Sequence, residues 1–555
     1  MARHSFLRRF LFFSFVGITT TVWFLPFSVS AASQVSEGED MAAIGQQIYR
    51  QGQLASGEPV EAYVMGDMKV LGTQFTCLNC HGRSGMGGAE GRTFTPAINP
   101  DALFSAREGV YLARDAYTDV SLAEVIRTGK TPGKQHLLQT MPSYHLSDAA
   151  MKALIKYLKT LSASFSPGVE DTTIHFATVI NDQADPEKVQ AMLTVLQRFF
   201  QDKNAKTRFE DKRQQRGPFY QHYRIKAYRD WVLHVWKVHG PPQGWPAQLA
   251  DYAKQQPVFA MVSGLVAGSW QPIHQFCEEH SIPCLLPNTD VPKRDVKREE
   301  KSFYTLYFSE GLGLEARVIA DEIIAERVPA HHVLQVVQQG SAGLFAAEIF
   351  EKVAGKQEAV TLRKWVLKST EQLSWKTLAE KMQKLQADTV ILWLSGRELA
   401  DAVPGEVMEI PGTIYLSSTL LGGYYAAMPE IRGRQVKLVH PFNPPENQEP
   451  ALNRLQVWLD SRNIPLHHPR IMGQTFYASM ILGKGLAHIK NHFYRDYLLD
   501  ALDHGNGKSI FSINYPRLSY GPEQRYLAKG AYIFDYPLHV GKAGRSTTHW
   551  RVPGL

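Results

Sequence analysis

The chain has 555 residues, 44% hydrophobic and 20% charged, enough for three or four domain-sized units with packed cores. Its formal charge of +7 includes Arg3, Arg8 and Arg9; without those three the balance is +4, which gives no reason to invoke a nucleic acid. The stretch from Arg208 to Arg229 is locally basic with interleaved tyrosines, and it reads as a solvated face rather than a phosphate-binding patch.

The first elements in chain order are a basic lead, MARHSFLRRF, and a long apolar run ending in the small residues Val29, Ser30, Ala31 and Ala32. This is the pattern of a signal peptide over 1–31, with an uncleaved membrane anchor as the alternative and membrane association as its consequence. Either way the remainder is expected to be exported to the periplasm. No other segment approaches the ~20 uninterrupted apolar residues of a membrane span.

A helix is expected over MAAIGQQIYRQG, residues 41–52, packed against a later terminal helix. The next segment, 53–75, has no evident chemical role. Then comes Cys77-Leu-Asn-Cys80-His81. Two thiols at this spacing on a helical turn reach the two vinyl groups on one porphyrin edge, and the adjacent histidine meets the iron. A zinc or thioredoxin-type site is the rival for a bare C-x-x-C, but there is no second C-x-x-C to complete a zinc cluster. The glycine-rich GRSGMGGAEGR that follows is expected to pass close to the porphyrin. It is no phosphate cradle, since no strand precedes it.

Sixty residues on, Met141 precedes Pro142, which stiffens its loop. Ser147 and Asp148 can cap a helix whose apolar stripe is Ala150, Leu154, Ile155 and Leu158. Residues 41–165 thereby resemble the monohaem class I cytochromes c, on CLNCH, the Met-Pro loop and the closing helix. That resemblance implies an all-α domain, one covalent haem c on Cys77 and Cys80, His81 as proximal ligand and Met141 as distal ligand. Met86, His136 and His145 are the rival distal groups.

A Ser/Pro/Gly link at 166–172 changes the pattern. Over 173–541, apolar runs (IHFATVIN, VLHVWKV, PVFAMVSG, IPCLLPNTD, HHVLQVVQQ, TVILWLSG, TIYLSS, VKLVHPF) alternate with amphipathic stretches. They predict parallel strands covered by helices on both faces, in two lobes. Small-residue turns after several strands suit a ligand cleft at the carboxyl ends. Cys277 and Cys284 would pair in an oxidising compartment, two buried thiols being the alternative. Residues 542–555 read as a tail. No nucleophile elbow, P-loop or metalloprotease motif appears, and His331-His332 and His467-His468 read as surface or packing pairs.

VFAMVSGLVAGSWQPIHQFCEEHSIPCLLPNTD, FYTLYFSEGLGLEARVIADEI and INYPRLSYGPEQRYLAKGAYIF resemble the type I periplasmic ligand-binding proteins of the branched-chain amino-acid type. The resemblance implies two α/β lobes, three hinge crossings and a ligand clamped between them. Carried over by position, the cleft residues are Ser263, Gly264, Ser269, Asn288, Thr289, Tyr307, Ser309, Gly340, Ser341 and Ser395. Trp270 stands among them where that family's loop is often small. The residues that grip an amino acid in that family have no clear match here, so the ligand is unnamed.

The expectation is an exported electron carrier coupled to a module that recognises a small molecule or a periplasmic redox partner. The alternatives are the solute-binding component of an ABC-type uptake system with an accessory haem domain, and a haem-linked periplasmic dehydrogenase subunit. With no flavin or quinone motif and no acid–base pair, the chain reads as a carrier and binder before an enzyme.

Overall fold

The computed structural model describes residues 37–90, 93–107, 114–131, 137, 140–207, 229–293, 302–326, 331–402, 410–423, 433–504, 514–519, 524–536 and 548–554. The expected leader, His136 and the basic stretch before Arg229 lie outside them. Among the described residues no helix is long and apolar enough to cross a membrane.

The N-terminal region is built on α1 (Glu37–Gln51), α2 (Cys77–His81), α3 (Asp119–Thr128) and α4 (Asp148–Leu158). Ser147 caps α4 by accepting the Ala150 N–H, and Met151, Leu154, Ile155 and Leu158 are buried. Helices α1 and α4 cross at Gly45, where an added Cβ would lie 2.2 Å from the Ala153 carbonyl oxygen. Tyr49 meets Tyr157 one turn on, with ring centroids 5.4 Å apart.

A three-stranded antiparallel sheet is added to these helices. Segment 53–75, without an assigned role from its sequence, forms the hairpin Glu61–Val64/Met68–Leu71, and Ser143–His145 pairs with its first strand. The hairpin thereby anchors the chain immediately after Met141 and Pro142.

Beyond the link lie two parallel sheets. In the first lobe β1 (Thr173–Asn181), β2 (Asp230–Val238), β3 (Ala260–Val262), β4 (Cys284–Leu285) and β5 (Thr305–Leu306) stand in the order β5-β4-β3-β1-β2. After α5 (Leu312–Ala325), the second lobe repeats that arrangement. Its strands are β6 (His331–Gln338), β7 (Val360–Leu367), β8 (Thr389–Trp393), β9 (Ile410–Ser417) and β10 (Gly433–His440), ordered β7-β6-β8-β9-β10. Two 2-1-3-4-5 sheets are doubly wound α/β lobes, a topology in which ligands in general bind beyond the carboxyl ends of the strands.

Three further helices return to the first lobe: α6 (Pro445–Asp460), α7 (Pro469–Ile489) and α8 (Arg495–His504). The chain then re-enters the second sheet as β11 (Ala531–Tyr536) and β12 (Thr548–Arg551), both antiparallel. It crosses between lobes three times, and the crossings touch. Tyr307 N–H donates to the Arg525 carbonyl (2.7 Å), and Asn443 N–H to that of Asn514 (2.6 Å).

The expected tail therefore corrects to a strand at 548–551, tied down by Arg551 bonds to Asp321 and Glu322. Strand β7 escapes periodicity because it lies at a sheet edge, where exposed Arg363 and Lys364 interrupt the apolar pattern. Cys277 and Cys284 form a disulfide with Cα atoms 6.3 Å apart, joining the helix Gln271–Glu279 to β4.

Candidate functional site

Thr76 caps α2, its side chain accepting the Asn79 N–H at 3.2 Å. Cys77 is half-buried, Cys80 exposed and His81 buried. Burial pushes the Cys77 thiol up to about 12. Burial also lowers His81 below its ordinary value, favouring the neutral ring a metal ligand must have. Its Nδ1 donates to the Pro96 carbonyl at 2.9 Å, leaving Nε2 as the ligating nitrogen. Gly87 N–H donates to the His81 carbonyl (2.9 Å), which turns the chain back to bring Pro96 beneath the ring. These residues fit a covalently attached haem.

Met141 is half-buried beside buried Pro142. In the strand that follows, Tyr144 faces inward and its hydroxyl donates to the Phe75 carbonyl at 2.7 Å. Alternation places His145 on the opposite face, exposed against Tyr63 at 4.8 Å between centroids. That orientation disfavours His145 as a distal group. Met86 is half-buried, and its N–H donates to Ser84 Oγ.

The glycine-rich loop approaches other parts of the chain closely at two of its turns. A Cβ on Gly82 (φ +73°) would lie 2.6 Å from Asp500 Oδ2, and one on Gly85 (φ +71°) 2.4 Å from Leu161. The tight spacing serves chain packing, because these positive-φ turns press backbone against α8 and the end of the α4 segment.

In the two-lobed module, Ser263 (φ +56°), Asn288 and Thr475 form one buried cluster at the carboxyl ends of β3 and β4. Asn288 Nδ2 donates to Ser263 Oγ at 2.8 Å and to Thr475 Oγ1 at 3.2 Å. Ser269 and Thr289 accept local N–H groups from Gln271 and Val291. Ser309 meets the Tyr515 hydroxyl at 3.3 Å on the hinge.

In the second lobe, Ser341 bonds the Gln338 carbonyl next to exposed Gly340, and Ser395 caps a short helix. Gly343 packs on the Trp393 carbonyl, so these two turns lie side by side.

Two expected cleft residues belong elsewhere. Trp270 and Tyr307 are each 1% exposed, in the core of the first lobe. Trp270 fills the space left by Gly264, whose added Cβ would sit 2.5 Å from its ring. Tyr307 lies on the side bearing His274, its hydroxyl 3.0 Å from His274 Nδ1.

The floor where the crossings meet holds charges that motif reading passed over. Arg470 pairs with Asp290 and stacks over Phe442 at 4.8 Å. Gln474 donates to the Tyr515 hydroxyl at 3.3 Å. Glu315 on α5 is fully buried and accepts from Thr419 Oγ1 at 2.6 Å, and burial pushes its carboxyl up to about 7. These residues are up to 225 positions apart (290 to 515), and only folding brings them together.

Residues 69–162 match the family described as Cytochrome c. This segment is a cytochrome c domain. The family implies a covalent haem. No curated protein matches the chain.

Solved structures similar to the chain include a fatty acid ABC transporter substrate-binding protein from Thermomonospora curvata. It is 17% identical over 67% of this chain and 90% of that one, with a TM-score of 0.41. A leucine-binding protein from Thermotoga maritima is 12% identical over 68% and 99%, with a TM-score of 0.43. A solute-binding protein from R. palustris in complex with benzoate is 14% identical over 69% and 97%, with a TM-score of 0.44.

The cytochrome domain docks on the first lobe immediately beyond the haem motif. Arg83 lies over the Phe303 ring at 4.1 Å and faces Asp496 at 3.6 Å. Arg50 reaches the same carboxylate at 3.8 Å, and the Tyr304 hydroxyl donates to it at 2.7 Å. Asp500, one turn further along α8, is buried. Among the described residues no group of three or more His, Cys, Asp or Glu side chains comes together as a separate metal site.

Proposed function

We propose that the chain is an exported c-type cytochrome carrying one haem on Cys77 and Cys80, with His81 and Met141 as its axial ligands. Bound in this way, haem supplies a one-electron couple with no open coordination position. The observation that carries the reading is the buried His81 oriented by Pro96 directly after C-x-x-C. Pro96 fixes the ring and its tautomer, Pro142 restrains the Met141 loop, and Tyr144 closes against Phe75 beside the cysteines.

The two-lobed module recognises a small molecule or a periplasmic redox partner through the crevice between its lobes. Support comes from the Ser263–Asn288–Thr475 cluster, the Ser309–Tyr515–Gln474 chain and the Arg470–Asp290 pair at the hinge. Electron transfer and binding are coupled only where the ligand distinguishes oxidised from reduced protein, which makes linkage measurable as a shift in potential.

Native mass spectrometry of protein from the periplasm of a host with haem-attachment machinery tests both halves. Processed chain plus one haem, with reversible one-electron reduction, is the expected core result, and further mass identifies a retained ligand. A chain without covalent haem overturns the electron-carrier reading. Steady haem reduction by a substrate, with no added dehydrogenase, would replace it with the enzyme reading.

A further inference from the structure

The two residues after His81 are held by a side chain more than 400 positions away. Asp500 Oδ1 accepts the Arg83 N–H at 3.2 Å, and Oδ2 accepts the Ser84 N–H at 2.8 Å. Gly82, in a left-handed conformation, leaves room for the carboxylate where any Cβ would collide with it. On the other side of the loop, the Tyr49 hydroxyl donates to the Gly82 carbonyl at 2.7 Å and Ser162 Oγ to the Ser84 carbonyl at 2.8 Å. The loop is gripped from both domains between His81 and the turn that returns Pro96 to it. Neither the C-x-x-C-H motif nor a solute-binding role requires a carboxylate here.

We infer that Asp500, a residue of the two-lobed module, is a positioning residue of the haem centre: its carboxylate fixes the backbone following His81 and holds the reduction potential down. The inference rests on the haem reading above. A carboxylate accepting two N–H groups is fixed in place, and in a buried setting its charge is weakly screened. Burial pushes the Asp500 carboxyl up to about 6, against the pull of the Ser84 bonds, so it carries its charge at neutral pH. A negative charge near the iron favours the oxidised, more positive state, so removing it favours reduction.

The test is spectroelectrochemistry of the full-length, haem-loaded protein at pH 7.5, comparing wild type, Asp500→Asn and Asp500→Glu. Asp500→Asn should shift the oxidised-to-reduced equilibrium roughly tenfold towards reduced, a rise of about 59 mV for one electron. Asp500→Glu keeps the charge and should return most of the shift. Hydrogen exchange on wild-type holoprotein gives a readout independent of variant folding. The Arg83 and Ser84 amides should exchange at least about 100-fold slower than unstructured amides.

A haem-loaded Asp500→Asn protein with unchanged potential, or unprotected amides at 83 and 84, overturns this inference alone. Wild-type protein with no covalent haem removes the underlying reading with it.

Discussion

In the cytochrome domain the groups around the haem motif come mostly from one short stretch, Thr76 to Pro96, with Tyr144 arriving from a later strand against Phe75. In the two-lobed module the corresponding polar floor is collected from Asp290, Ser309, Glu315, Arg470, Gln474 and Tyr515, on two of the three crossings and on both lobes. The first site is organised by a local turn and a cap, with Asp500 of the module closing on the loop behind His81; the second exists only while two lobes and a hinge hold their relative places. Local damage should therefore silence the first while sparing the second fold, whereas the module should respond most to buried charges at the hinge and the domain junction.

The largest effect is expected from His81→Ala, which should abolish the low-spin haem spectrum while near-ultraviolet circular dichroism of the module persists. Loss of both signals together would make the two regions one cooperative unit. Next comes Arg525→Met. Arg525 and Asp503 form a buried two-bond pair at 2.9 and 2.8 Å, and Arg525 lies under Phe303 at the domain junction. Removing the guanidinium leaves a buried carboxylate without its main charge partner, and urea unfolding should show a loss of about 3–5 kcal/mol.

Glu315→Gln sharpens the comparison through pH. The native carboxyl lies near 7, raised by burial from the model-peptide value near 4.5. Its favourable contribution is complete below about 4.5 and is lost as pH rises through about 7, on the order of 3 kcal/mol in all. Thermal unfolding of the variant should lack that part of the wild-type decline between those values; parallel curves would refute the assignment. The smallest effect is Gly45→Ala at the α1–α4 crossing. Its Cβ would press on the Ala153 carbonyl, and the haem domain's thermal transition should weaken by about 1–3 kcal/mol with the module unchanged.

Sequence reading reached further into the first region than the second for a physical reason. Covalent haem attachment demands adjacent residues, so CLNCH announces itself, and the α4 cap and apolar stripe follow from helical periodicity. Strands β1, β6 and β8 were legible because strands buried on both faces are continuously apolar. Strand β7 was not, since its edge position leaves Arg363 and Lys364 in water. Trp270 and Tyr307 were placed in the cleft from their neighbours in the chain, while side-chain direction sends both into the first-lobe core.

The sequence by itself determined the haem motif, the oxidisable Cys277 and Cys284, the helical closure of the cytochrome domain and the alternation that makes two parallel α/β lobes. Each follows from short-range spacing or from the burial of an apolar face. Tertiary structure alone decided which polar groups meet at the hinge, and that Asp500 closes on the loop behind His81. Such contacts carry no local periodicity: they arise when helices and sheets pack, and burial then favours partners for most N–H and carboxylate groups.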